Sequence, residues 1–159
     1  MGFPVDVDIV DDDESVRILV SSFMDALNYQ TQVFSCPSDY LEYMSSVNYL
    51  PPRLAIISDV DMPLMSGYEF INAVRKLHPH IRVLIATGSP GIPALDDSTC
   101  FYLAKPFDLK KLKRIFLAIS LCNKNGANPD VLKCTSIDDR NDFSIKCWKC
   151  PRNGGRHSQ

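Results

Sequence analysis

An α/β fold, with five parallel strands in one sheet layered between helices, is predicted from three observations on the sequence. Over residues 1–122, short β-branched apolar runs alternate with segments of helical period, the pattern of βα units around a parallel sheet. The chain has 159 residues, room for one ordinary domain and an appendage but not for a second full domain. Its composition, 45% hydrophobic and 23% charged, is that of a soluble globular protein that buries a core, not of a disordered or fibrous one.

The strand candidates are residues 5–10, 31–34, 54–58, 81–86 and 101–104. Between the first two, Val16, Leu19, Val20, Phe23 and Leu27 mark one helix face. Ser35 is expected to open a weaker helix carrying Tyr40, Leu41 and Met44, with Pro37 in its first turn, where a missing amide costs nothing. Phe70, Ile71, Val74 and Leu77 mark the next helix, and Leu109, Leu112, Ile115, Phe116 and Ile119 the last. Between Thr87 and Lys105 the residues Gly88, Pro90, Gly91 and Pro93 crowd together, and proline clashes in a helix interior, so any fourth helix there is short or irregular. Beyond Cys122 the pattern fades into Asn, Gly, Pro, Asp and Lys with short apolar groups such as residues 143–145. The expected organisation is therefore a domain over 1–122 and a flexible extension over 123–159.

The N-terminus lacks a basic region followed by an apolar one, and no apolar run approaches the ~18–20 residues of a membrane span. A cytoplasmic protein without a membrane partner is expected. The net charge is −2, with acidic side chains in excess up to residue 122 and basic ones in modest excess after it. That excess is too small, and the apolar spacing wrong, for a DNA-binding domain. The six cysteines fit reduced thiols or metal ligands better than a disulfide framework. Cys147 and Cys150 form a CxxC pair, but the further ligands that zinc would need, Cys122, Cys134 or His157, are poorly spaced.

Carboxylates gather after two predicted strands: Asp11, Asp12 and Asp13 after the first, Asp59 and Asp61 after the third. Ligands of open α/β sheets bind beyond the carboxyl ends of the strands, so the two groups converge if their strands are neighbours. Crowded like charges raise one another's pKa unless a cation is present, and a hard divalent ion such as Mg²⁺ suits an all-oxygen site. Any one of these residues could instead cap the following helix, and Asp13 is expected to do so. Thr87 ends the fourth strand and Lys105 follows the fifth, bringing a hydroxyl and an ammonium to the same rim. A carboxylate nucleophile, a metal, a hydroxyl and a lysine are the parts that phosphoryl transfer uses, through positioning and charge neutralisation.

At this point residues 5–121 resemble the response-regulator receiver family. The resemblance rests on VDIVDDDESVR, ISDVDMPLMSGYEF, IATG and FYLAKPFD, four motifs in the family's order. It implies a flavodoxin-like three-layer α/β/α fold and a phosphorylation-dependent signalling switch. By the same resemblance Asp59 is the phosphoacceptor, and Asp11, Asp12, Asp59 and the backbone carbonyl of Asp61 hold Mg²⁺ or Mn²⁺. Thr87 and Lys105 contact the phosphoryl group, Tyr102 is the aromatic that swings inward, and Lys105–Pro106 is a cis-peptide candidate. A histidine kinase or phosphotransfer protein is the implied donor, and the output is an unidentified protein target. Gly67 is expected at a tight backbone position, with Met62 and Met65 packed beneath its loop.

Two other readings compete. One is a receiver-like binding module that takes no phosphate. The other is a haloacid-dehalogenase-type phosphatase, since Asp59-Val60-Asp61 is an Asp-x-Asp with Asp61 available as acid/base. In that enzyme class the Asp-x-Asp follows the first strand and an acidic motif follows the lysine; here Asp96 and Asp97 precede Lys105.

Overall fold

The computed structural model describes residues 2–79, 81–88, 101–106, 108–124 and 143–145. In chain order the elements are β1 (Val7–Val10), α1 (Glu14–Ala26), β2 (Thr31–Phe34), α2 (Pro37–Met44), β3 (Ala55–Asp59), α3 (Gly67–Leu77), β4 (Val83–Thr87), β5 (Phe101–Ala104), α4 (Leu109–Lys124) and β6 (Phe143–Ile145). They build one sheet in the order β2-β1-β3-β4-β5-β6. The first five strands run parallel, as the alternation predicts, and β6 adds to the edge of β5 in the antiparallel sense. That sixth strand was not expected, because three residues are too few to carry a periodic signal.

Helices cover both faces of the sheet, and alternation along the strands divides the core accordingly. Val7, Ile9, Ala55, Ile57, Leu84, Ala86 and Leu103 pack with Val20 and Met24 of α1 and with Leu112, Ile115, Phe116 and Ile119 of α4. The intervening residues Val10 and Ile56 pack against Tyr40 and Met44 of α2 and Phe70 and Val74 of α3. Val83 and Ile85 meet Ile71 of α3. Full burial of a side chain such as Phe70 or Leu84 stabilises the fold by about 1.5–3 kcal/mol relative to exposure.

Several expected details are corrected. Cys36, not Ser35, is the N-cap of α2, with Pro37 in the first turn, and Cys36 makes no side-chain cap bond. Leu19 is exposed while Met24 is buried, because the buried stripe of α1 lies one position further round the helix. Leu77 is 60% exposed, at the end of α3, and Leu109 is partly exposed at the start of α4. Met62 is buried and Met65 partly buried in the α2–α3 layer, as expected. The segment expected to hold a short fourth helix lies, beyond Gly88, outside the described residues. So do the CxxC pair and, apart from β6, the extension beyond residue 124.

Candidate functional site

Strand register assembles the rim. Val10 pairs with Ser58, so the next residues on the two strands, Asp11 and Asp59, stand side by side. Asp59 pairs with Ala86, one position before Thr87; Thr87 pairs with Ala104, one position before Lys105. The order of the parallel strands reverses between β1 and β3, the place where open α/β sheets hold their ligands.

Asp11 is almost fully buried, and its backbone and side chain are both held. Its Oδ1 accepts the Asp13 amide at 2.9 Å, and its carbonyl accepts Arg17 Nη1 at 2.7 Å. Asp13 itself caps α1, accepting the amides of Ser15 at 2.8 Å and Val16 at 3.4 Å. Two neighbouring aspartates thus take different work: one begins a helix and the other faces the rim.

Lys105 Nζ donates to Asp11 Oδ2 at 2.8 Å, the length of a strong charge-assisted hydrogen bond, and to Asp59 Oδ1 at a longer 3.1 Å. The Lys105 amide donates to the Thr87 carbonyl at 2.7 Å, which fixes where its side chain leaves the backbone. The Lys105–Pro106 peptide bond is cis. Burial alone would lower the lysine pKa, but Asp11 and Asp59 outweigh it and hold the ammonium above its ordinary value. Asp59 moves upward: burial is the largest cause and Asp11 adds repulsion, while Lys105 and the Val60 amide pull the other way without prevailing.

One carboxylate oxygen each from Asp11, Asp12 and Asp59 lies within 4.8 Å of the others. Three hard oxygen donors with excess negative charge over one lysine fit a small divalent cation such as Mg²⁺ or Mn²⁺. Asp12 and Asp61 are exposed and Thr87 is buried at the end of β4. The Asp61 carboxylate is not a member of the three-carboxylate group. The side chain of Tyr102 lies outside the described ones; its backbone pairs with Ile85 and Ser144. A groove of about 720 Å³ runs elsewhere, between α1 and β2, and is lined by Arg17, Ile18 and Thr31 but by none of the rim residues.

The loop behind Asp59 is fixed by contacts the sequence reading missed. Ser66 caps α3 by accepting the Glu69 amide at 3.2 Å, and Glu69 returns the bond to the Ser66 amide at 2.8 Å. The Ser-x-x-Glu spacing is a capping-box signature and could have been read. Arg17 was missed as well; its only signal is its place one turn into the helix after the acidic run.

Residues 7–116 match the family model for the response regulator receiver domain. The chain is 28% identical over 105 residues to the DNA-binding transcriptional regulator NtrC of Escherichia coli, covering 64% of this chain but 22% of that protein. It is 27% identical over 139 residues to response regulator MprA of a Mycobacterium species, covering 85% of this chain and 59% of that one. Among solved structures, chemotaxis protein CheY4 of Vibrio cholerae superposes with a TM-score of 0.63 at 26% identity, covering 74% of this chain and 99% of CheY4. With the sheet order, the carboxylate rim and more than half of the sequence in agreement, the chain belongs to the response-regulator receiver family.

Proposed function

We propose that this chain is a switch that accepts a phosphoryl group on Asp59 and in response changes its protein-binding surface. The observation that carries this reading is the Lys105 ammonium held between Asp11 and Asp59, with Asp12 completing a carboxylate group of metal-binding dimensions. In the proposed step an Asp59 oxygen attacks phosphorus while the bond from phosphorus to the donor breaks, its electron pair leaving with the donor nitrogen or oxygen. A histidine kinase or phosphotransfer protein supplies the group. Asp11, Asp12, Asp59 and the Asp61 carbonyl would hold Mg²⁺ or Mn²⁺, whose chemistry is to neutralise charge on the transferring oxygens.

The chain's own residues position and compensate. Lys105 redirects its ammonium from the two carboxylates to a phosphoryl oxygen, and the Thr87 hydroxyl donates to another. Thr87, in moving, vacates space for the ring of Tyr102, which makes the charge change a packing change. Apart from aiding its own phosphorylation and dephosphorylation, the chain turns over no substrate in this reading. A cytoplasmic setting belongs to the same reading; no helix among the described residues is long and apolar enough to cross a membrane.

Intact mass after incubation with acetyl phosphate and Mg²⁺ tests the reading. The expected result is one added phosphoryl group in the parent protein and none in Asp59→Asn. No added mass in the parent would leave the non-phosphorylated binding module as the correct reading, and mass retained by Asp59→Asn would move the acceptor elsewhere.

A further inference from the structure

Asp8, on β1, lies in the core three residues before the rim and takes no part in it. It is fully buried, and alternation along β1 sets it on the same face of the sheet as Val10, in the layer covered by α2 and α3. Its Oδ2 accepts the Tyr40 hydroxyl at 2.8 Å, and that hydroxyl lies 3.4 Å from the hydroxyl of Tyr49. Its Oδ1 has no hydrogen-bond partner. An ionised carboxylate accepts at several lone-pair positions, so a single donor in an apolar layer leaves the charged form badly under-solvated.

The groups packed against Asp8 offer little compensation. α2 presents Tyr40 and, beside it, Tyr43; the acids of α2, Asp39 and Glu42, are exposed. α3 presents Phe70 and Val74, and the strand neighbours in register are Gln32 and Ile56, all uncharged. His78, at the end of α3, meets Tyr49 ring to ring at 5.1 Å, one aromatic removed from Tyr40. Among the described residues no cation stands against Asp8.

We propose that Asp8 is a buried proton-binding group that sets how tightly α2 is held on the sheet, so that proton release loosens the layer carrying Tyr40. Val10 and Met62 belong to that layer and border Asp11 and the Asp59 loop, which carries the proton state to the rim through packing alone. The proposal does not depend on phosphoryl transfer. Burial pushes the Asp8 carboxyl from 3.8 up to about 7, the Tyr40 hydrogen bond opposing the rise. The raised value means that the folded state binds the extra proton. The stability tied to it is therefore complete below 3.8, declines as pH rises towards about 7, and is gone above that.

Amide hydrogen exchange of residues 37–44, corrected for the intrinsic pH dependence of exchange, reads this directly between pH 5 and 8.5. Protection is expected to fall by nearly tenfold per pH unit up to about 7 and then to level off. Asp8→Asn should abolish the fall. Tyr40→Phe removes the donor that favours the carboxylate and should move the levelling point to higher pH, whereas a merely structural Tyr40 would lower protection at every pH without moving it. His78→Gln should leave the profile in place. A pH-independent parent protein, an unchanged fall in Asp8→Asn, an unmoved levelling point in Tyr40→Phe, or loss of the fall in His78→Gln would each overturn the proposal. If Asp8→Asn does not fold, the Tyr40→Phe profile decides.

Discussion

A Cβ added to Gly67 would collide with the carbonyl oxygen of Asp59 and stand 3.0 Å from Val60 Cα. The start of α3 is thus folded directly onto the backbone of the proposed phosphoacceptor, and the Gly67 amide donates to the Val60 carbonyl at 2.9 Å. The neighbours are backbone atoms, which cannot rotate away as a side chain would. Gly67→Ala is expected to lower the free energy of unfolding by about 1–3 kcal/mol, the usual cost of overpacking, and to shift the Asp59 loop. Urea unfolding checks this, and an unaltered midpoint would show that the loop yields freely. At the same scale, the sequence made Asp13 legible as a cap and Gly67 as a tight position, because each role follows from local chemistry. Asp8 was not legible: nothing adjacent to it in the chain reveals that Tyr40, on another element, reaches its carboxylate.

Capping differs between the two helices that cover one face of the sheet. α3 begins with a reciprocal capping box, while the Cys36 side chain at the start of α2 leaves its cap bond unmade. Ser66→Ala is expected to cost about 1 kcal/mol, and Cys36→Ser, which supplies an acceptor at an already extended N-cap, to add up to about 1 kcal/mol. Equilibrium unfolding would show the two variants moving in opposite directions; a stabilising Ser66→Ala or a destabilising Cys36→Ser would contradict the cap assignments. Element existence was legible from period and composition, and the buried face of α4 was read correctly through Leu112, Ile115, Phe116 and Ile119. The exposed Leu19 and buried Met24 were not, because periodicity locates an apolar sector without saying which edge of it meets the sheet. β6 escaped because its three residues are too few to carry a periodic signal.

Across the whole molecule, the site exists only because register brings the ends of four strands, β1, β3, β4 and β5, to one rim height. That convergence was legible in outline, since Asp11, Asp59, Thr87 and Lys105 each stand at or just after the end of a strand candidate. The strand order that makes β1 and β3 neighbours came from the family resemblance and is now explicit in the pairing. Metal binding to the folded state alone should raise stability by about 2.7 kcal/mol at a hundredfold excess over the dissociation constant. Thermal unfolding is therefore expected to shift upward with Mg²⁺ in the parent protein and much less in Asp12→Asn. Equal shifts in both proteins would remove Asp12 from the metal site.

The most direct measurement is a crystal structure of the protein grown with Mg²⁺ and beryllofluoride, an anionic group that becomes tetrahedral on a carboxylate oxygen and whose fluorines stand in for phosphoryl oxygens. The account predicts the mimic on an Asp59 oxygen, the cation on Asp11, Asp12 and Asp59, and both Lys105 Nζ and the Thr87 hydroxyl within hydrogen-bond distance of a fluorine. Beryllofluoride on another carboxylate, or a Lys105 that stays on Asp11 and Asp59 with the mimic bound, would contradict it.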